Sequence, residues 1–383
     1  MRPATSAGSA SEGDLMKFRS VALASATLLA LVPAGMSQAA PPDPGPTVLQ
    51  DGLITPLHLA VGPGGTVAIS QSFAGMLTTV SKGESTTVYS SPGWEVGGAD
   101  YRGSTLYFLE SVGAGPFDPS PMVGTLKAID AAGNVTTITD QIAQYEIDNN
   151  LDADVQYGLS PADAVANPDC VAELGVVGFP ASYTGADVEV DSHAYSLAVR
   201  GNTAYVADAG ANAVLDINLK TGSISTVAVL PPQPAEITAE AAEMLGVPSC
   251  AGLEYAFEAV PTDLEFGPDG MLYVGLLPGG PEDPSLGARG SVHRIDVASG
   301  HHELYVDGLM TPTGLAFDGD GNLYIASLFG EGIYKVDADT RAVSLYEALP
   351  MAVDVEVKGS TLYATTKALF DPPQGELISM RLR

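Results

Sequence analysis

Residues 304–349 read LYVDGLMTPTGLAFDGDGNLYIASLFGEGIYKVDADTRAVSLYEAL, and the fold follows from how this run divides. Residues 314–317 (GLAF) make a short apolar strand that ends in the turn Asp318-Gly319-Asp320-Gly321. Residues 322–327 (NLYIAS), 332–337 (GIYKVD) and 342–348 (AVSLYEA) are the second, third and fourth strands. Gly and Asp stand at the joints because tight hairpin turns need positive φ, which Gly adopts freely and Asn or Asp tolerate. A single meander of this kind cannot bury both of its faces, so copies of it must stack on one another.

Copies are found along most of the chain. The second strand recurs at 66–70 (TVAIS), 105–110 (TLYFLE), 203–208 (TAYVAD), 271–275 (MLYVG), 322–327 and 361–365 (TLYAT). Tyr107 and Tyr205 are 98 residues apart, and Tyr205 and Tyr273 are 68 apart. Two insertions, about 141–192 and 234–259, account for these long steps and leave a period of about 40–50 residues, that of propeller blades. Ring closure is legible too. Residues 47–55 (TVLQDGLIT) parallel 303–311 (ELYVDGLMT), a fourth strand, whereas the last copy stops at its third strand, 377–382 (LISMRL). The expected fold is all-β: a six-bladed propeller of four-stranded blades over 47–383, closed by the N-terminal strand, which removes the long unpaired edge.

Both insertions fall between a fourth strand and the next first strand. The long links at 111–122, 277–290 and 367–374 join second to third strands, so all the extra chain is expected on one face, where binding usually resides. Ser160-Pro161-Ala162-Asp163 reads as a helix start, and 238–245 (TAEAAEML) with Gly246 as a helix and its stop. Cys170 and Cys250 lie beside these two helices and are expected to form a disulfide that staples a lid.

The N-terminus carries an export signal over 1–39. Lys17 and Arg19 precede the apolar run 21–32 (VALASATLLALV), and Ser37-Gln38-Ala39 permits cleavage before Ala40. Met16 stands just ahead of the basic pair, so 1–15 reads as an over-long start, and the Pro-rich 40–46 as a disordered spacer. A secreted protein, extracellular or periplasmic, is expected. The apolar run is too short to span a membrane. Charged residues are only 16% of the chain, yet the net charge is −30. That surface excludes nucleic acid and anionic membrane as partners. A monomer that binds a small molecule or a protein is expected.

The innermost strands carry, once per copy, His58, Gly98, Ser196, Asp263, Gly314 and Asp354, and two residues on Ala60, Asp100, Ala198, Glu265, Ala316 and Glu356. Alternation places both rows toward the axis. His58, Asp263 and Asp354 are the expected ligands of a divalent cation, calcium or zinc; Asp191, His193 and Ser196 complete the expected ligand-binding set. The blander reading is a water-filled channel. No nucleophile elbow or dinucleotide motif occurs, and Trp94 and Tyr145 read as packing residues.

The run 206–214 (VADAGANAV) looks like the core of an NHL-type repeat. A longer succession is more particular: 143–146 (AQYE) before an Asn-rich segment, 190–196 (VDSHAYS), 227–232 (VAVLPP), 259–262 (AVPT) and 267–275 (GPDGMLYVG). In this order they resemble the ScyD/ScyE family of exported bacterial β-propellers, over essentially the whole mature chain. The resemblance implies fold and compartment and no defined reaction. This chain has His193-Ala194-Tyr195-Ser196 where the family favours Asn-Pro-Tyr-Gly, and its insertions are longer. A more distant similarity runs to metal-dependent lactonases, so a cation-dependent hydrolase is the alternative to a binding protein, and an extracellular interaction scaffold a further one.

Overall fold

A computed structural model describes residues 45–113, 121–281 and 284–383. The expected leader, 1–39, and most of the expected spacer, 40–46, lie outside the described residues, as does the middle of the 111–122 link. Among the described residues no helix is long and apolar enough to cross a membrane.

Among the described residues the strands form seven four-stranded antiparallel sheets. Five are meanders of consecutive strands whose first members are Pro56–Val61, Glu95–Arg102, Ala194–Arg200, Pro261–Phe266 and Pro312–Phe317. The sixth begins at Val355–Lys358, contributes three strands of its own, and takes its outer strand from Thr47–Leu53. Thr47 pairs with Ser379 and Leu53 with Gly375, so the two ends of the chain meet in one sheet. The six first strands touch one another in cyclic order, the last against the first.

Stacking explains why NLYIAS carries no charged residue. Leu323 to Ser327 are all buried, because a sheet lies against each face. Tyr324 and Ala326 pack on Val355, Leu362 and Ile378 of the following sheet. Leu323 and Ile325 face the other way, onto Tyr273, Val292 and Leu309 of the preceding one. Period-two alternation divides the strand between two interfaces. At its turn, Asp318 Oδ1 accepts from the amides of Asp320 (3.0 Å) and Asn322 (2.9 Å), with Gly321 at φ 89°.

The sequence leads one to expect six sheets, and seven are present. The additional sheet is assembled from the two insertions, in the order Ser182–Tyr183, Tyr157–Gly158, Glu254–Phe257, Gln233–Glu236. The helix α1 (Ile142–Asn149) packs on Val123–Ile129 of the second meander, while α2 (Pro161–Ala166), α3 (Pro168–Val177) and α4 (Ala239–Leu245) accompany the additional sheet. Ser160 Oγ caps α2 by accepting from Asp163 N, Thr238 Oγ1 caps α4 by accepting from Ala241 N, and Gly246 ends α4 in the left-handed region, as their sequences indicate. Leu159, Leu174, Ile237, Tyr255 and Phe257 make a small core of their own. Inside it, Cys170 and Cys250 form the disulfide, Cα to Cα 4.8 Å across 80 residues of sequence. This unit leans on the 277–290 link: Thr238 Oγ1 donates to Ser285 O, and the Arg289 guanidinium lies 4.6 Å from the Phe257 ring.

Candidate ligand site at the ring axis

The first strands bring the expected residues to one place. His58, Gly98, Ser196, Asp263 and Asp354 line a narrow axial cavity, with Asp100, Ala198, Glu265 and Glu356 from the second row. Its volume is about 20 Å³, enough for roughly one water molecule. Glycines allow the strands to close this far. A Cβ at Gly98 would meet Ser196 Cα at 2.6 Å, and one at Gly314 would meet Asp354 Cα at 2.6 Å.

The aspartates act as latches between sheets. Asp100 Oδ2 accepts from Val199 N at 2.7 Å, Asp263 Oδ2 from Leu315 N at 2.6 Å, and Asp354 Oδ2 from Leu59 N at 2.6 Å. Each reaches from one first strand to the next, in alternate sheets around the ring. Ser196 Oγ donates to the other oxygen of Asp263 at 2.6 Å. Buried backbone amides need acceptors, and these carboxyls supply them where the meanders leave their inner edges unpaired.

Five carboxyls thus share one desolvated space. Burial pushes Asp100 up to about 6, against the hydrogen bonds it accepts. Burial likewise lifts Asp263 to about 7, with the bonds from Ser196 and Leu315 opposing. Glu265, Asp354 and Glu356 are raised well above the carboxylate range, first by burial and then by the repulsion of their neighbours. Like charges this close, out of water, favour the protonated forms.

His58 takes part in a different cluster. Its ring stands edge-on to Tyr195 at 4.6 Å, and Tyr195 in turn meets His193 at 5.3 Å. His193 Nε2 lies 3.0 Å from Glu95 Oε2. Burial lowers His58 to about 4, only partly offset by Glu95, so the ring is neutral. Burial alone would raise Glu95, but the hydrogen bond and charge of His193 outweigh it and hold the carboxyl low. Burial would likewise lower His193, but Glu95 keeps it raised. Above the axis, Glu95, His193 and Tyr195 border a larger cavity of about 250 Å³, lined also by Thr262, Thr313 and apolar residues such as Leu57, Phe73, Leu277 and Leu328. First strands and second-to-third links both contribute to this wall.

His58, Asp263 and Asp354, the expected cation ligands, all line the axial cavity. His58 is stacked on Tyr195, while both aspartates are engaged by backbone amides. Among the described residues no three His, Cys, Asp or Glu side chains are grouped to hold a metal ion. The Asp191 carboxyl lies against Gly210. Glu95 is the residue that sequence reasoning missed. It stands three residues before Gly98, as His193 stands three before Ser196, so two equivalent positions of successive sheets form the pair. Equivalence of register was the available signal.

No protein-family model and no curated protein sequence matches the chain. Solved structures do. A gluconolactonase from Xanthomonas campestris superposes with a TM-score of 0.50 at 14% identity, covering 88% of this chain and 89% of that one. The apo-form soluble aldose sugar dehydrogenase from Escherichia coli gives 0.50 at 12% identity, covering 88% and 99%. A virginiamycin B lyase from Staphylococcus aureus gives 0.45 at 14%, covering 82% and 80%. At such identities the likeness shows the β-propeller fold alone.

Proposed function

We propose that residues 47–383 are an exported, six-bladed propeller that binds a small, largely apolar molecule with a hydroxyl or N–H group at the mouth of its axis. Six blades are the six sheets whose first strands touch in a ring, with the seventh sheet a lid. The Cys170–Cys250 bridge supports an oxidising compartment, and the order of motifs supports kinship with the ScyD/ScyE proteins.

One observation carries the ligand chemistry. Glu95 Oε1 is buried without a hydrogen-bond partner, and Glu95 borders the apolar mouth cavity. Thr313, which lines the same cavity, has its Oγ1 unpartnered as well. An apolar pocket with a few convergent polar groups is the usual form of a small-molecule site. A ligand hydroxyl would donate to Glu95 Oε1, while His193 holds the carboxylate ionised. The axial cavity below is too small for an organic molecule.

Thermal-shift measurements with a panel of small phenols, cyclic alcohols and lactones test this. Hydroxylated rings should raise the melting temperature of the wild type, by less in Glu95→Gln and not at all in Leu369→Trp, which fills the cavity. Equal shifts in all three proteins would defeat the reading. Consumption of a lactone by the wild type would replace it with hydrolysis.

A further inference from the structure

Where α1 ends, three side-chain oxygens are left without partners. Glu146 is 1% exposed and Asp152 2%, and each uses one carboxyl oxygen within the protein. Glu146 Oε2 accepts from Leu151 N at 3.2 Å. Asp152 Oδ2 accepts from Tyr157 Oη and Asn212 Nδ2, both at 2.9 Å. Glu146 Oε1, Asp152 Oδ1 and Asn150 Oδ1 remain buried and unpaired.

The backbone gathers them. Asn150 closes α1 in the left-handed region, φ 43°, with its amide on the Glu146 carbonyl at 2.7 Å. The next amide, that of Leu151, donates to the Glu146 carboxyl one residue before Asp152, whose charge acts on it. Asn212 joins the group to Gly210, whose carbonyl also accepts from its Nδ2, and Asp191 lies against that glycine. Asp191 and Asp208 both act electrostatically on Glu146, so the surroundings are strongly negative.

A buried oxygen with no donor is costly, and three between residues 146 and 152 call for a common partner. Two carboxyls and an amide, with no nitrogen or sulfur donor, suit a hard cation. Calcium accepts such mixed, irregular oxygen sets and completes them with water, whereas magnesium demands a near-ideal octahedron. We propose that Glu146, Asn150 and Asp152 form a calcium site, separate from the axial cavity and the mouth. Through Asp152 and Asn212 the ion would fasten the first insertion to the ring, since Asn212 Oδ1 also accepts from Val260 N at 2.9 Å at the start of the fourth first strand.

The full chain, stripped with EDTA and desalted, provides the test. Calorimetric titration with Ca²⁺ should give a single site, Ca²⁺ should raise the melting temperature, and Tb³⁺ should show tyrosine-sensitised luminescence that Ca²⁺ displaces. Glu146→Gln and Asp152→Asn should each weaken Ca²⁺ binding by about tenfold or more, with circular dichroism confirming that they fold. Asp263→Asn, at the axis, should leave binding unchanged. Absence of Ca²⁺ binding by the stripped wild type would overturn the proposal, as would binding unaltered in both variants or lost in Asp263→Asn. Tighter binding of Mg²⁺ than of Ca²⁺ would overturn the assignment of calcium.

Discussion

Asp354 Oδ2 accepts the amide hydrogen of Leu59 across 2.6 Å, joining residues 295 positions apart in the chain. The contact links the last first strand to the earliest one, inside the ring that Thr47–Leu53 closes from outside. Asp354→Ala removes the acceptor and should cost about 1–3 kcal/mol, the usual penalty for stranding a buried donor. Asp354→Asn keeps an acceptor for Leu59 and removes an acid that its neighbours repel whenever it ionises. Denaturant unfolding at pH 8 should therefore rank Asn at or above the wild type and Ala below it; Ala equal to the wild type would mean the latch carries no load.

The axial acids give the protein a pH dependence of unusual sign. Asp263 titrates at about 7 in the native state against an ordinary 3.8, so between those values the native state holds the extra proton. Stability from this group is fully present below about pH 4 and is lost as pH rises through about 7. Glu265 is raised in the same sense. Melting temperatures from pH 4 to 8 should show Glu265→Gln matching the wild type at the acid end and exceeding it at the alkaline end. His58 works oppositely: its native value of about 4 lies under 6.5, so its contribution disappears as pH falls between them.

The disulfide closes a loop of 80 residues, worth about 4 kcal/mol on a chain-entropy estimate. Cys170→Ser with Cys250→Ser should lower the melting temperature. It should also let chymotrypsin cut first near Phe179 and Tyr183, because the lid core is small and depends on the bridge. A cleavage pattern unchanged from wild type would show that the apolar contacts suffice.

Much of this was legible in the chain. The NLYIAS strands, the Asp-Gly turns and the parallel between TVLQDGLIT and ELYVDGLMT were enough to pair the termini and to place His58, Ser196, Asp263 and Asp354 on the axis. What the acids do there was not. That a carboxylate accepts a backbone amide of the next sheet is not written in its own sequence; it shows only in the distance to Leu59 or Leu315. The seventh sheet was equally hidden, since Tyr157–Gly158 and Ser182–Tyr183 are two residues each and show no alternation. The Glu95–His193 pair joins residues 98 apart, within reach of one another only once the sheets are stacked.

The lid strands straddle the third meander in sequence yet pair directly with each other, so neither insertion is a complete module. For a protein engineer the transferable cassette is the contiguous stretch from about 141 to 259, meander included. Splicing either half alone into another scaffold would deliver unpaired strands and an orphan thiol.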